Sequence, residues 1–381
     1  MTDRLNTMTT TTTPPRAERT GRAPQALRSL AASLASPLVP ADYLDLVAPL
    51  RRGTDLRARV EAVTPLTADA ATLLLRPGAD WRGHEPGQYV RLGVDVDGVR
   101  HHRAYSLTHG PRADGLISVT VKAVADGTVS PYLVHRTRPG TLLHLTQAEG
   151  DFVLGRQDTR LLMLTAGSGV TPVIGMLRNL FPVTDTGPVR TQRGRDLDIV
   201  VVHLSTSRAG SVHGRDLEQL HEAGAITLIS HHDDIDGRFD VDTLARLVPD
   251  LTARTTYACG PAPLLDALAA HHETHGLALR TERFTPPSRP AADAQGGAVR
   301  FTESGATAES DGATPLLVTG EDAGVLMPSG CRMGICFGCV SPLRAGTVRD
   351  LRTGETTTVD GAPVEIQTCI STAVGDCDIA R

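Results

Sequence analysis

Cysteine is scarce in this chain, with six among 381 residues, and aromatic residues amount to 3% with a single tryptophan. Lys122 is the only lysine among 38 basic residues, a bias toward arginine and alanine that looks like codon pressure and carries no functional weight. No run approaches the roughly 18 consecutive apolar residues that a membrane-spanning helix needs. The N-terminal "MTDRLNTMTTTTTPPRAERTGRAP" places threonines where an export signal would have its apolar core, and it reads as a disordered tail over 1–24. A chain without that signal is expected in the cytoplasm, where clustered cysteines bind metal or do redox chemistry more often than they form disulfides. Positive charge is not in excess either. The formal net charge of −5 argues against a nucleic-acid partner.

What is present has the length of two or three domains, with an ordinary 21% charged and 40% hydrophobic residues. Residues 25–52 form a helical segment in which Leu27, Leu30, Ala31 and Leu34 share a face and Pro37 and Pro40 stop the run. It reads as a helix packed on the next domain, with membrane-surface contact as the alternative. Over 53–155 short alternating stretches such as "LRARVEAV", "ATLLLRP" and "GLISVTVKAV" predict an antiparallel barrel, with a hairpin turn at Asp97-Gly98. Over 156–285 continuous apolar strands alternate with helical stretches, which predicts an α/β domain on a parallel sheet. A Pro/Ala/Gly linker follows at 286–297, and 298–381 reads as a short α+β unit.

Half of the cysteines crowd into "GCRMGICFGCVSP", residues 330–342. The spacing is Cys331-x4-Cys336-x2-Cys339, with 29 residues between Cys339 and Cys369. That is the plant-type [2Fe–2S] arrangement, in which one loop wraps three thiolates and a distant segment supplies the fourth. Gly330, Gly334 and Gly338 let the backbone pass close to the sulfides. A structural zinc site is the competing reading. Zinc ribbons pair two short hairpins, and a lone Cys369 does not make the second. The segment 298–381, through "LLVTGEDAGVLMPSGCRMGICFGCV" and "EIQTCIS", resembles a plant-type ferredoxin domain of the β-grasp fold. Cys377 lies outside the pattern and reads as an inert thiol.

"RAYSLT", 103–108, with "GQYVRL" before it and "KAVADGTVSPYL" after it, resembles the flavin site of the ferredoxin–NADP reductase superfamily. The resemblance implies that Arg103 neutralises the flavin pyrophosphate, that Tyr105 lays its ring on the isoalloxazine and that Ser106 faces its N5, with Ala104 between them. The same resemblance implies that Lys122, Thr128, Val129 and Ser130 belong to the second phosphate element at a helix start, an arrangement that suits anions. FAD is preferred, with FMN as the alternative.

"TAGSGVTPVIGML", 165–177, resembles the nucleotide turn of the same superfamily, with Gly167, Ser168, Gly169, Thr171 and Pro172 in the motif. "YACGPAPLLDAL" resembles its C-G-P element, which places Cys259, Gly260 and Pro261 beside the nicotinamide, Cys259 as a packing or positioning residue. "ERF" resembles the domain end, with Phe284 over the flavin face. Ser205 and Arg208 in "HLSTSRAG" suit a 2′-phosphate, so NADPH is preferred over NADH. "HHDD", 231–234, reads as a polar turn and not as a metal site.

The order flavin, nucleotide, cluster resembles class-I oxygenase reductases over about 53–381, and most of all the actinobacterial reductases that feed membrane acyl-CoA desaturases. The expected function is NADPH-dependent delivery of electrons through FAD and [2Fe–2S] to a terminal oxygenase or a desaturase. An NADH-linked reductase of a ring-hydroxylating oxygenase or P450 is the alternative, and a redox-sensing binding protein the distant one. A docking partner with a basic face is expected, because 298–381 hold six basic and eleven acidic residues.

Overall fold

The computed structural model describes residues 44, 47–96, 99–125, 127–184, 187–188, 191, 194, 196–284, 296–329, 332, 334 and 337–381. The chain divides into two units, Met1–Pro49 and Leu50–Arg381. The expected tail and the helical positions Leu27, Leu30, Ala31 and Leu34 lie outside the described residues, as does most of the 286–297 linker.

The second unit begins with six antiparallel strands: β1 (Arg57–Thr67), β2 (Ala70–Pro77), β3 (Tyr89–Val96), β4 (Val99–Ser106), β5 (Ile117–Lys122) and β6 (Leu142–Leu145). Alternation fixes which face turns inward. In β1, Ala58 and Val60 are buried while Arg59 is exposed, the period-2 pattern of a strand over one core. The strand order is β4-β3-β6-β1-β2-β5. Leu107, just past β4, bridges Val119 of β5, and Thr108 N donates to Ser118 O at 2.9 Å, so the two edges meet and the sheet closes into a barrel. β3 and β4 pair as a hairpin with Val96 opposite Val99. The turn residues Asp97 and Gly98 lie outside the described residues.

Strands β7 (Arg160–Ala166), β10 (Asp198–Ser205), β11 (Thr227–His232), β12 (Thr255–Cys259) and β13 (Leu279–Glu282) form a fully parallel sheet, ordered β11-β10-β7-β12-β13. A two-residue pair, β8 (Val183–Thr184) with β9 (Gly187–Pro188), lies between β7 and β10 in the chain. Leu161, Met163, Ile199, Val201 and Tyr257 point to one face, where helices α1 (Val170–Leu180) and α2 (Gly214–Glu222) bury Val173, Leu177, Leu217 and Leu220. Leu162, Leu164, Val200, Val202 and Ala258 point to the other, against Leu265 and Leu268 of α3 (Ala262–His275). Both faces are covered, which is why these strands read as unbroken apolar runs. Gly276, at φ 63°, ends α3 in the left-handed conformation that glycine tolerates best. From β7 the chain moves first to β10 on one side and later to β12 on the other. That reversal opens a crevice beyond the carboxyl ends of the strands.

The last stretch holds β14 (Gly297–Phe301), β15 (Thr307–Ser310), α4 (Leu316–Asp322), β16 (Val340–Ala345), β17 (Thr347–Asp350), β18 (Thr356–Thr358), β19 (Val364–Gln367), β20 (Ser371–Ala373) and β21 (Cys377–Ile379). A mixed sheet runs β15-β14-β21-β16-β19, with β14 and β21 parallel, and a smaller sheet runs β18-β17-β20. Leu316 and Leu317 of α4 pack on Phe301, Leu343 and Ile379. The architecture is therefore multidomain, an antiparallel barrel followed by a parallel α/β sheet and an α+β unit.

Candidate active site

One row of residues crosses the carboxyl end of the parallel sheet. The strand registers set His203 opposite Thr165, Thr165 opposite Cys259 and Cys259 opposite Glu282. Thr165 Oγ1 lies 2.8 Å from His203 Nδ1, and His203 Nε2 lies 3.0 Å from Ser211 Oγ. At the other end Ser106 Oγ, the last residue of β4, donates to Glu282 Oε2 at 3.4 Å. The barrel strand that ends in "RAYS" therefore meets the sheet at Glu282. Glu282 keeps part of its surface exposed, yet protein atoms crowd its carboxyl group from most sides. Burial pushes its pKa up to about 8, against a smaller lowering by the Ser106 hydrogen bond. At neutral pH this carboxyl holds a proton, and it sits one hydrogen bond from Ser106. Cys259 is fully buried, and burial raises its thiol well above the usual range. A buried thiol held in its neutral form is a poor nucleophile, and Cys259 is placed as a packing residue of the core under α1 and α2.

The crevice is a cleft of ≈ 1700 Å³. Gly167, Ser168 and Gly169 line it from β7, Ser205 from β10, and Gly260 and Pro261 from β12. Lys122 and Phe284 line it too, the latter 38% exposed. A Cβ on Gly169 would lie 2.2 Å from Cys259 O, so only glycine lets the two strand ends close up there. Thr171 and Pro172 are buried and turn away from the cleft; Thr171 Oγ1 instead donates to Ser168 O at 2.9 Å and braces the turn. Ser205 Oγ is held by Ser207 O at 3.1 Å and His232 Nδ1 at 2.8 Å.

Arg208 does not reach the cleft. Its guanidinium pairs with Glu218 at 2.8 Å, and its side chain is 76% exposed. The arginine on the cleft wall is Arg238, followed by Asp240 and Asp242 and preceded by Asp233. Arg238 stands in an ordinary polar context and is not visible as a site residue in the sequence. Glu282 opens the "ERF" stretch, whose resemblance marks Phe284 alone, and the parallel register of β12 and β13 shows its own place beside Cys259.

On the barrel, Arg103 Nη1 donates to His102 O at 2.8 Å, and no described carboxylate lies at ion-pair distance from it. Burial lowers its pKa first, followed by the charge of Arg332, while Glu321 acts in the opposite direction. Arg332 pairs with Glu321. Burial raises the Tyr105 phenol, which stays neutral, and Ala104 is half-buried beside it. The short turn Val129–Pro131 starts at Thr128 without a side-chain cap, and Ser130 Oγ accepts from Val124 N at 3.1 Å. An unpaired arginine and an uncapped helical turn suit an anionic diphosphate. Lys122 is placed differently from the rest of that element: it pairs with Asp69 at 3.4 Å and faces the nucleotide cleft.

Cys331 and Cys336 lie outside the described residues. Cys339 and Cys369 are both buried. Thr368 donates to Cys339 O from its N at 3.3 Å and its Oγ1 at 2.9 Å, and Val340 pairs with Gln367. Gly334, at φ 72°, presses against Ile370, where a Cβ would lie 2.8 Å from the side chain. The loop therefore touches the chain on both sides of Cys369. The two described members of the expected set, Cys339 and Cys369, are thus buried on segments that touch, and thiolate donors suit a [2Fe–2S] group. Cys377 is buried in β21, its thiol pushed up to about 12 by burial.

Residues 57–153 match the family described as oxidoreductase FAD-binding domain. An "NADPH oxidoreductase" of Mycobacterium tuberculosis (strain H37Rv) is 40% identical over 360 residues, which cover 92% of this chain and 91% of the relative. A "glycine betaine monooxygenase reductase subunit" of Pseudomonas aeruginosa is 28% identical over 77% of this chain and 86% of its own length. Among solved structures, phthalate dioxygenase reductase superposes with a TM-score of 0.56 at 21% identity, covering 85% of this chain and 97% of that one. That likeness is one of fold. The chain accordingly belongs to the family of the mycobacterial NADPH oxidoreductase, and it is an NAD(P)H-dependent oxidoreductase of the FAD-binding ferredoxin-reductase type.

Proposed function

We propose that this protein takes a hydride from NADPH in the cleft and passes the two electrons singly through FAD and a [2Fe–2S] centre to a terminal oxygenase or a membrane acyl-CoA desaturase. The domains are taken as 53–155 for FAD, 156–285 for the nucleotide and 298–381 for the cluster, the last of ferredoxin type. The observation that carries the reading is that Arg103 on β4 lies near enough to the cysteine-loop unit to feel the repulsion of Arg332 and the weaker attraction of Glu321, which supports an exit beside the flavin strand. FAD, when bound, supplies the one function the scheme needs, accepting two electrons together and releasing them one at a time. Arg103 and the turn at 128–130 hold its diphosphate, and Tyr105 packs on its ring. Ser106 and Glu282 keep a proton at hydrogen-bond reach of the reacting edge, and Phe284 covers the face that the nicotinamide uses. Cys331, Cys336, Cys339 and Cys369 hold the iron. The protein named as a monooxygenase reductase subunit supports an oxygenase as acceptor.

The 2′-phosphate of NADPH is assigned to Arg238, with Ser205 nearby. The carboxylates of Asp233, Asp240 and Asp242 on the same wall favour a free ribose, the property of NADH, and they support the alternative reading. Steady-state kinetics separate the two. Arg238→Ala should raise KM for NADPH by about tenfold and leave NADH unaffected; equal effects on both nucleotides would favour NADH. In the reconstituted protein, Cys369→Ser should cut cytochrome c reduction by about tenfold or more while NADPH still bleaches the flavin. Unchanged cytochrome c reduction would remove the cluster from the route.

A further inference from the structure

Strand β5 alternates Val119 and Val121 with Ser118, Thr120 and Lys122, and it is buried on both faces. The valines enter the barrel core. The polar residues face the nucleotide half. Ser118 Oγ meets Thr108 Oγ1 at 2.7 Å, Thr120 Oγ1 meets His213 Nε2 at 2.8 Å, and Lys122 enters the cleft. His213 Nδ1 lies 2.7 Å from Asp216 Oδ2, and the other oxygen of Asp216 accepts from Arg178 Nη2 at 3.1 Å. Arg178 Nη1 then donates to Thr108 O at 3.1 Å, which closes a ring of bonds from barrel to sheet and back. The His213 side chain is 0% exposed, and its backbone is left-handed at φ 56°.

Burying so many polar groups at a seam is costly unless every partner is in place, so the ring tolerates one relative placement of the two halves. An apolar seam of the same area could slide. The seam also has an apolar part, since Ala70 of β2 packs in the core under α1 and α2 together with Val212 and Leu217, the chain neighbours of His213 and Asp216. The barrel core and the core under α3 are built from separate residues, none of them in this network. The consequences of a slip fall on the site. Lys122 is two residues from Thr120, and Thr108 is two residues from Ser106, the partner of Glu282.

We propose that the ring Thr120–His213–Asp216–Arg178–Thr108 is a register device, and that His213 is a positioning residue that sets where the flavin strand meets the nucleotide cleft. A neutral His213 satisfies the bonds of the ring: Nδ1–H donates to Asp216, and Nε2 accepts the Thr120 hydroxyl hydrogen. The Thr120 oxygen is then free to accept from Thr72 Oγ1 at 2.8 Å. The proposal rests on the reading of the cleft as the NAD(P)H site.

The test uses the full-length holoprotein with His213→Ala, Thr120→Val and Thr120→Ser. Stopped-flow reduction of the flavin by NADPH should slow about tenfold or more in the first two, with the Kd for NADPH changed by less than about threefold. Thr120→Ser keeps the hydroxyl and should stay within about twofold of wild type. Hydrogen exchange should rise in Thr120→Val on both sides of the seam, over 117–122 and 213–217. Wild-type rates in both His213→Ala and Thr120→Val, or equal rates in the two Thr120 variants, would overturn the proposal. If His213→Ala does not fold, the Thr120 pair decides alone. If wild-type flavin is not reduced by NADPH or NADH, the cleft reading fails instead, and exchange confined to one side of the seam would sink the register as well.

Discussion

An ordinary glutamate loses its proton near pH 4.5, and Glu282 keeps its own to about pH 8 because burial denies the carboxylate its water. Between those values the folded chain binds a proton that the unfolded chain has released. The stability from this group is therefore fully present below 4.5 and is lost as pH rises through 8. Glu282→Gln should remove that loss. In urea unfolding, its midpoint should gain on wild type as pH rises from about 5 to about 9, and a constant difference would mean that Glu282 is not buried as an acid. Legibility at this scale was uneven. Arg103, Tyr105 and Ser106 can be proposed from the sequence because their motif is contiguous on one strand. The burial of Glu282 and the place of Arg238 on the cleft cannot, because their surroundings come from strands and loops far away in the chain. Arg208 has the right chemistry beside the right strand, but Glu218 on α2 holds it outside the cleft.

Elements decide what the residues can reach. Gly175 sits inside α1, where a Cβ would lie 2.2 Å from Leu107 O, the residue after the "RAYS" strand end. A helix glycine costs about 1 kcal/mol against alanine, so its presence marks close approach of α1 to the barrel. Gly175→Ala should therefore destabilise by about 1–3 kcal/mol instead of stabilising, through displacement of backbone that cannot rotate away. Thermal unfolding checks the sign. Gly169→Ala, pressed against Cys259 O, should show the same sign and also weaken nucleotide binding, because it parts the two strand ends that floor the cleft. The barrel and the parallel sheet are legible from periodicity alone. Strand β5 is the instructive exception: "ISVTVK" has the alternation of a half-exposed strand, and its polar face is buried against a second layer that a local pattern cannot reveal.

Charge is distributed over the molecule in a way that only the whole sequence shows. Residues 298–381 carry a formal −5, the same as the entire chain, so everything before them is balanced. The cysteine spacing on which the proposed cluster rests says nothing about the charge of this unit, and the charge says nothing about the cluster. On the proposed route the electron would leave from the most acidic part of the protein, since 156–285 carry a formal −3 and 1–155 a formal +3. An acceptor with a basic face would be steered there, and steering is screened over about 8 Å at physiological ionic strength. The nicotinamide nucleotide, itself an anion, is proposed to bind far along the chain, in the cleft that Lys122 and Arg238 line. Two measurements separate the two ends. Reduction of cytochrome c, a basic acceptor, should slow severalfold between about 0.02 and 0.3 M salt, and reduction of a small neutral dye should change much less. A loss shared equally by both acceptors would place the salt effect at the nucleotide cleft, and the acidic unit would then have no part in recognising its partner.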